Sequence, residues 1–262
     1  MTVDRVVNGF ARGVFVFLYL PIVAVIVYSF NAAGTNTRFE GLTLQWYVEL
    51  FQDAALMQTL QTSAIVAVIT ATVATIIGIM FALGIARYRG RGRASLLALI
   101  ALPLIVPEIV LGVALLSVFS TTRIPLGIGT LVLGHLIVSL PLATLVLMSS
   151  AVMLDPSLPE AATDLGCTPW QTFTRVYFPL LRPAVVAAWL LSFTTSFSNI
   201  VMSTFLSGVG STTLPLKIYS SLKTGLTPTI NALGALLILL TLVIVLLVGV
   251  TQMRRILVES RG

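Results

Sequence analysis

The segment Asp155-Pro-Ser-Leu-Pro-Glu160-Ala-Ala-Thr-Asp-Leu-Gly166-Cys-Thr-Pro-Trp170-Gln-Thr-Phe-Thr-Arg175-Val-Tyr-Phe-Pro179 is a long polar stretch in a chain of 262 residues that is otherwise strongly apolar. Ser157 and Glu160 have the Ser-x-x-Glu spacing of a capping box, and Pro159 suits a first helical turn. Ala161 and Ala162 favour helix until Gly166 stops it, and Thr168 followed by Pro169 starts a second short helix. The spacing therefore predicts two short helices meeting at a glycine, a compact knob rather than a slack connection. On these residues alone it is either an ordered loop with no further role or a part built to press on a partner.

The flanking sequence sets where this knob sits. Hydrophobic residues make up 57 % of the chain and charged residues only 9 %, with mean hydropathy +1.05. Soluble domains carry about 25 % charged residues, so an ordinary soluble enzyme is excluded. Crossing the hydrocarbon layer as a helix takes about 20 mostly apolar residues. Six intervals between successive charges are long enough, at 13–37, 54–86, 94–122, 124–154, 183–216 and 224–253, and only the third holds a charge, Glu108. None alternates with period two, and unpaired backbone groups are not tolerated in lipid, which favours helices over a barrel. The expected fold is an all-α polytopic membrane protein, a single domain over 1–262. Its six transmembrane helices are expected near 14–30, 63–86, 95–119, 128–150, 184–206 and 230–251, with the loop 155–182 between the fourth and fifth.

Fifteen Lys and Arg against nine Asp and Glu leave a net charge of +6. With the N-terminus inside, eleven basic residues (Arg5, Arg12, Arg87, Arg89, Arg91, Arg93, Arg175, Arg182, Arg254, Arg255 and Arg261) fall in inner segments and four (Arg38, Arg123, Lys217 and Lys223) in outer ones. Both termini and the 155–182 loop are thus expected in the cytoplasm, and the basic excess serves the membrane surface rather than nucleic acid. The first apolar stretch exceeds a signal-peptide core and no A-x-A site follows it, so an uncleaved helix is expected. Leu42–Phe51, which mixes aromatic and aliphatic residues, reads as a short interfacial helix.

Several chemistries are excluded or left without support. The lysines, Lys217 and Lys223, each follow a leucine, so there is no Gly-Lys-Ser/Thr P-loop, and any ATP must be hydrolysed on another subunit. One cysteine, Cys167, and one histidine, His135, allow neither an intrachain disulfide nor a Cys/His metal cluster, and no cofactor is implied. His135 and Ser139 share a helix face, the spacing of a nucleophile and base, but no acid near them in sequence would orient the histidine. Glu108 is costly at membrane depth, by about 2.5–3.5 kcal/mol, and follows Pro103 and Pro107, which predict a kink or break in the third span. Such a site either handles substrate or braces the bundle. The fifth span carries Ser192, Thr194, Thr195, Ser196, Ser198, Asn199, Ser203 and Thr204, too many polar groups for a lipid-facing helix.

Glu160-Ala161-Ala162, three residues, Gly166, nine residues, then Val176-Tyr177-Phe178-Pro179 resembles the E-A-A-x3-G-x9-I-x-L-P signature of the permease subunits of type I ABC importers. Val176 for Ile and Phe178 for Leu are the departures. The likeness runs over roughly residues 55–255 and extends, through Leu102–Val110, Ser192-Phe-Thr and Leu214–Tyr219, to the second permease of spermidine/putrescine importers. It implies a bacterial inner-membrane protein that catalyses no covalent chemistry itself. It also implies a homologous second permease, two ATP-binding subunits and an extracytoplasmic solute-binding protein as partners, within membrane lipid. Glu160, Ala161, Ala162, Gly166 and Pro179 would form the ATPase-coupling element. Glu108, Thr195, Ser198 and Asn199 would line the substrate path, although polyamine-importing relatives would be expected to offer acids near 198 and 199, where this chain is neutral. The alternatives are an ABC permease for another small solute, or a self-sufficient channel or secondary transporter.

Overall fold

The computed structural model describes residues 2–34, 38–88, 90–225 and 227–259, with the side chains of 2–6, 224 and 244–259 outside the described set. Arg89 and Arg261, and the side chains of Arg5, Arg254 and Arg255, all counted in the basic asymmetry, lie outside the described residues. Twelve α-helices occur among the described residues: α1 Thr2–Tyr28, α2 Gln45–Gln52, α3 Ala54–Arg87, α4 Arg93–Ile105, α5 Glu108–Thr121, α6 Ile128–Ala151, α7 Leu158–Asp164, α8 Pro169–Thr172, α9 Phe178–Phe197, α10 Val201–Leu206, α11 Leu214–Thr224 and α12 Pro228–Glu259. One turn of π-helix, Phe173–Tyr177, joins α8 to α9. The expected all-α class is what is found.

Four helical runs are long and apolar enough to cross a membrane: residues 7–28 of α1, α3, α6, and Pro169–Phe197 from α8 through α9. The span expected at 95–119 is not one helix but two, α4 and α5, bent by 94°, and it makes a fifth crossing if counted as one. Pro107 is the cause. A proline disfavours helical angles in the residue before it, and Val106 is extended (ψ 132°), as is Pro107 itself (ψ 130°). Pro103, by contrast, lies within α4 without ending it. The expected span at 184–206 is also interrupted, between the end of α9 at Phe197 and the start of α10 at Val201. The sixth expected span falls on α12, whose described apolar stretch is Pro228–Val243, so a count of six is compatible with the structure.

The chain divides into two compact units, the described parts of Met1–Met57 with Ser220–Gly262, and Gln58–Tyr219. In the first, α12 packs against α1 and α2. The short helix expected over Leu42–Phe51 is α2. Trp46 donates to the Asn31 carbonyl (2.7 Å) and the Tyr47 hydroxyl bonds Ser29 Oγ (2.7 Å), while Leu44, Val48 and Phe51 face outward.

The second unit is built on α6 against α9. His135 Nδ1 meets Ser196 Oγ at 2.8 Å. Extending that register four residues at a time, with the helices antiparallel, sets Ser139 level with Ser192, Ala143 with Ala188 and Leu147 with Ala184, all of them buried. Small side chains at this seam let the backbones approach, which is how helices associate where both core and surroundings are apolar. Ala74, Ile79 and Ala82 of α3 close the same core, and a second cluster of Val66, Phe119, Leu131, Met202 and Leu206 seats α10.

After α10 the chain turns tightly at Gly208, where a Cβ would overlap the Leu126 carbonyl oxygen. Gly208→Ala must displace backbone rather than a flexible side-chain end, so the thermal unfolding midpoint in detergent is expected to fall, at a cost of about 1–3 kcal/mol. Gly84→Ala, where a Cβ meets nothing within 4 Å, should leave it unchanged or raise it slightly. Equal midpoints for the two variants would show that the turn does not depend on this approach.

Candidate functional site

The 155–182 loop forms the two short helices its sequence predicts, but its first cap differs. Ser157 has helical angles (φ −79°, ψ −14°) and makes no capping bond, and no capping box joins it to Glu160. Its hydroxyl instead donates to Asp155 Oδ1 (2.7 Å), which also accepts the Ser157 amide (2.9 Å). These bonds, the backbone amide first, hold the exposed Asp155 carboxyl below the usual carboxylate range. Released from any capping duty, Glu160 stands exposed with no hydrogen bond among the described residues. Ala162, in contrast, is buried, and Ala161 is exposed.

The far end of α7 is closed as Gly166 requires. Gly166 has φ +79°, its amide bonds the Thr163 carbonyl (2.8 Å), and the Cys167 amide bonds the Ala162 carbonyl (2.9 Å). This is a Schellman closure, open to glycine because it needs left-handed angles. Thr168 then caps α8 in a reciprocal box with Gln171, at 3.3 and 2.8 Å. The π turn follows directly, and Pro179 sits in the first turn of α9, so the knob and the long helix are one continuous piece. Leu165 and Trp170 are 84 % and 70 % exposed, leaving an apolar surface on the knob.

The second group of residues gathers where two helices are broken. Glu108 opens α5, and its Oε1 accepts a hydrogen bond from Asn199 Nδ2. Asn199 lies in the gap between α9 and α10, and its Oδ1 accepts the Met202 amide (2.8 Å), which caps α10. Ser203 Oγ donates to the Asn199 carbonyl (2.7 Å) and lies 3.4 Å from His135 Nε2. Thr130 Oγ1 holds the other end of α10 through the Leu206 carbonyl (2.9 Å). The structure thus brings Glu108 and Asn199 together. Ser198 is exposed and bonds the Thr194 carbonyl in its own helix, and half-buried Thr195 has no bond to either residue among the described residues.

His135 turns to Ser196 and Ser203, and Ser139 Oγ is buried without a partner among the described residues, so these two side chains form no nucleophile–base pair. Nor do three His, Cys, Asp or Glu side chains converge among the described residues. Sequence reasoning also passed over Arg87, at the end of α3, whose guanidinium lies 4.6 Å from the Tyr177 ring centroid and donates to its hydroxyl. Nothing in the sequence connects two residues ninety positions apart; only the basic cluster around Arg87 drew notice.

Comparison with known proteins now adds to this geometry. Residues 74–258 match the model of the family of binding-protein-dependent transport system inner membrane components. The chain belongs to this family. It is a type I ABC permease, as the signature at 160–179 implied. It is 38 % identical over 240 residues to the spermidine/putrescine transport system permease protein PotC of Haemophilus influenzae, covering 92 % of this chain and 93 % of that one. The putrescine transport system permease protein PotI of Escherichia coli K12 is 36 % identical over 231 residues, covering 86 % and 82 %. A crystal structure of a bacterial ABC transporter involved in import of the acidic polysaccharide alginate superposes with a TM-score of 0.73 over 96 % of both chains, at 16 % identity, a likeness of fold alone.

Asn199→Ala removes the donor to Glu108 and the cap of α10 in one step. Unfolding of the purified permease is expected to become easier by about 1–3 kcal/mol, the usual cost of stranding buried polar groups. An unchanged midpoint would mean that α10 is held by its apolar contacts alone.

Proposed function

We propose that this permease carries polyamines of the spermidine/putrescine class across the bacterial inner membrane, forming half of the translocation path. The observation that carries the cargo reading is the placement of Glu108, the single acid of the apolar spans, at a helix break beside Asn199. Broken helices that expose carbonyls beside an acid suit a cationic solute. The relatives' names, at 36 to 38 % identity over most of both chains, point to the same cargo. The other half is a homologous second permease, with two ATP-binding subunits hydrolysing ATP and an extracytoplasmic solute-binding protein delivering the cargo. Exposed Glu160, Leu165 and Trp170 form the face of the 155–182 knob that docks on an ATP-binding subunit. Its capped helices and their continuity with α9 let a displacement there reach the membrane. A self-sufficient channel or secondary transporter has no use for such a knob.

Three results test this. In proteoliposomes of the assembled complex, spermidine uptake should require ATP, and Glu108→Gln should slow it at least tenfold while the ATP-binding subunits still co-purify. Normal uptake by Glu108→Gln would place the path acids on the partner permease. Gly166→Val forces a β-branched residue into left-handed angles and Glu160→Ala empties the docking face, so both should lower cargo-stimulated ATP hydrolysis at normal membrane levels; unchanged transport in both would remove the knob from the mechanism. Cysteines at 160 and 91 should react with impermeant reagents only from the cytoplasm and those at 49 and 217 only from outside; the reverse would invert the topology.

A further inference from the structure

The knob is joined covalently to α6 at one end and, through the π turn, to α9 at the other, and the contact of Arg87 with Tyr177 ties it to the end of α3. Between the end of α3 and the knob lies a cavity of about 300 Å³, lined by Leu83, Arg87, Thr163, Cys167, Phe173 and Tyr177 among others. A second cavity of about 700 Å³, also lined by Arg87 and Tyr177, reaches Arg93, Asp155 and Glu160. Solid packing transmits a push between elements; open space does not. The Arg87–Tyr177 contact thus ties the end of α3 to the knob beside the apolar packing of Leu83, Ala86 and Phe173 on the same core cluster.

Its chemistry suits a mechanical joint. A guanidinium over an aromatic ring gains from the negative ring face, and its hydrogen bond to the hydroxyl is charge-assisted, so both act between the same two side chains. Tyr177 is buried at 6 % exposure, and it sits in the π turn, a wider-wound single turn of a kind that recurs at functional sites. Arg87 is the last residue of α3. We infer that Arg87 is a positioning residue that latches α3 to the coupling knob through Tyr177, so that one movement of the knob displaces α3 and α9 together. The inference rests on the coupling role proposed for the knob.

The variants are Arg87→Met, which keeps length and removes charge, Arg87→Lys, which restores charge, and Tyr177→Phe, which keeps the ring and removes the acceptor. Glu160→Ala serves as the control for the knob itself. In the assembled complex, spermidine transported per ATP hydrolysed should fall roughly tenfold in Arg87→Met and about threefold in Tyr177→Phe, in line with losing a charged hydrogen bond with and without the ring contact. Arg87→Lys should recover most of the loss. Amide exchange of the purified complex, which needs no cargo, should rise in 158–177 in Arg87→Met while the α6 and α9 core stays protected. Uncoupling by Glu160→Ala without any change in transport per ATP in the Arg87 variants would overturn the latch and leave the knob's role standing. Transport and hydrolysis falling in equal proportion would overturn it too, as a plain loss of assembly. If spermidine is not carried at all, unchanged exchange in 158–177 overturns the latch independently of the cargo.

Discussion

Backbone groups freed at a helix break in a membrane must be satisfied by protein, because lipid offers them nothing. Among the described residues two such breaks lie at Val106–Pro107 and between Phe197 and Val201, and the Asn199 side chain caps the helix after the second while contacting the side chain that follows the first. One end of the Asn199 amide caps α10 through the Met202 amide and the other donates to the carboxylate that begins α5. Ser203 and Thr130 secure the remaining carbonyls at the two ends of α10. Were Asn199 apolar, α10 would lose its start and Glu108 its donor at once. The short helix is thus anchored on α5 and α6 just after α9 ends, and Glu108 lies at the junction of the broken helices.

From that junction the α6–α9 seam runs to the knob. Its buried faces descend from His135 and Ser196 through serines and alanines to Leu147 and Ala184, and α9 continues through Pro179 into the π turn. A seam of small side chains allows the backbones of α6 and α9 to approach closely. The knob is rigid for separate local reasons, the Schellman closure at Gly166 and the Thr168–Gln171 box. Between the knob and α9 the helix widens for a single π turn, Phe173–Tyr177, and Arg87 is attached there through Tyr177.

Local chemistry was legible in the sequence and distant pairing was not. Pro107 announced a break, Gly166 a left-handed stop and Thr168 a cap, because each acts on its immediate neighbours. The Ser157–Glu160 box failed on the same ground: Asp155, two residues earlier, competes for the Ser157 hydroxyl and amide. Asn199 with Glu108 and Arg87 with Tyr177 join residues about ninety positions apart, and only the folded arrangement of α3, α5 and α9 brings them together. Apolar periodicity gave little help with the core, since a helix facing lipid and one facing its neighbours are both apolar. Ala143, Ala188 and Ala184 mark the seam by their size rather than their hydrophobicity.

The charge balance at the break bears on how a cationic cargo could pass. Spermidine, the cargo proposed above, carries several ammonium groups, whereas Glu108 offers one carboxyl group, which already accepts a hydrogen bond from its neighbour Asn199. On the proposed reading, an ammonium arriving at Glu108 would compete with the neutral Asn199 donor. Ser198 spends its hydroxyl on the Thr194 carbonyl and adds no charge. On that reading the remaining ammonium groups need oxygens from elsewhere, which a second permease would supply.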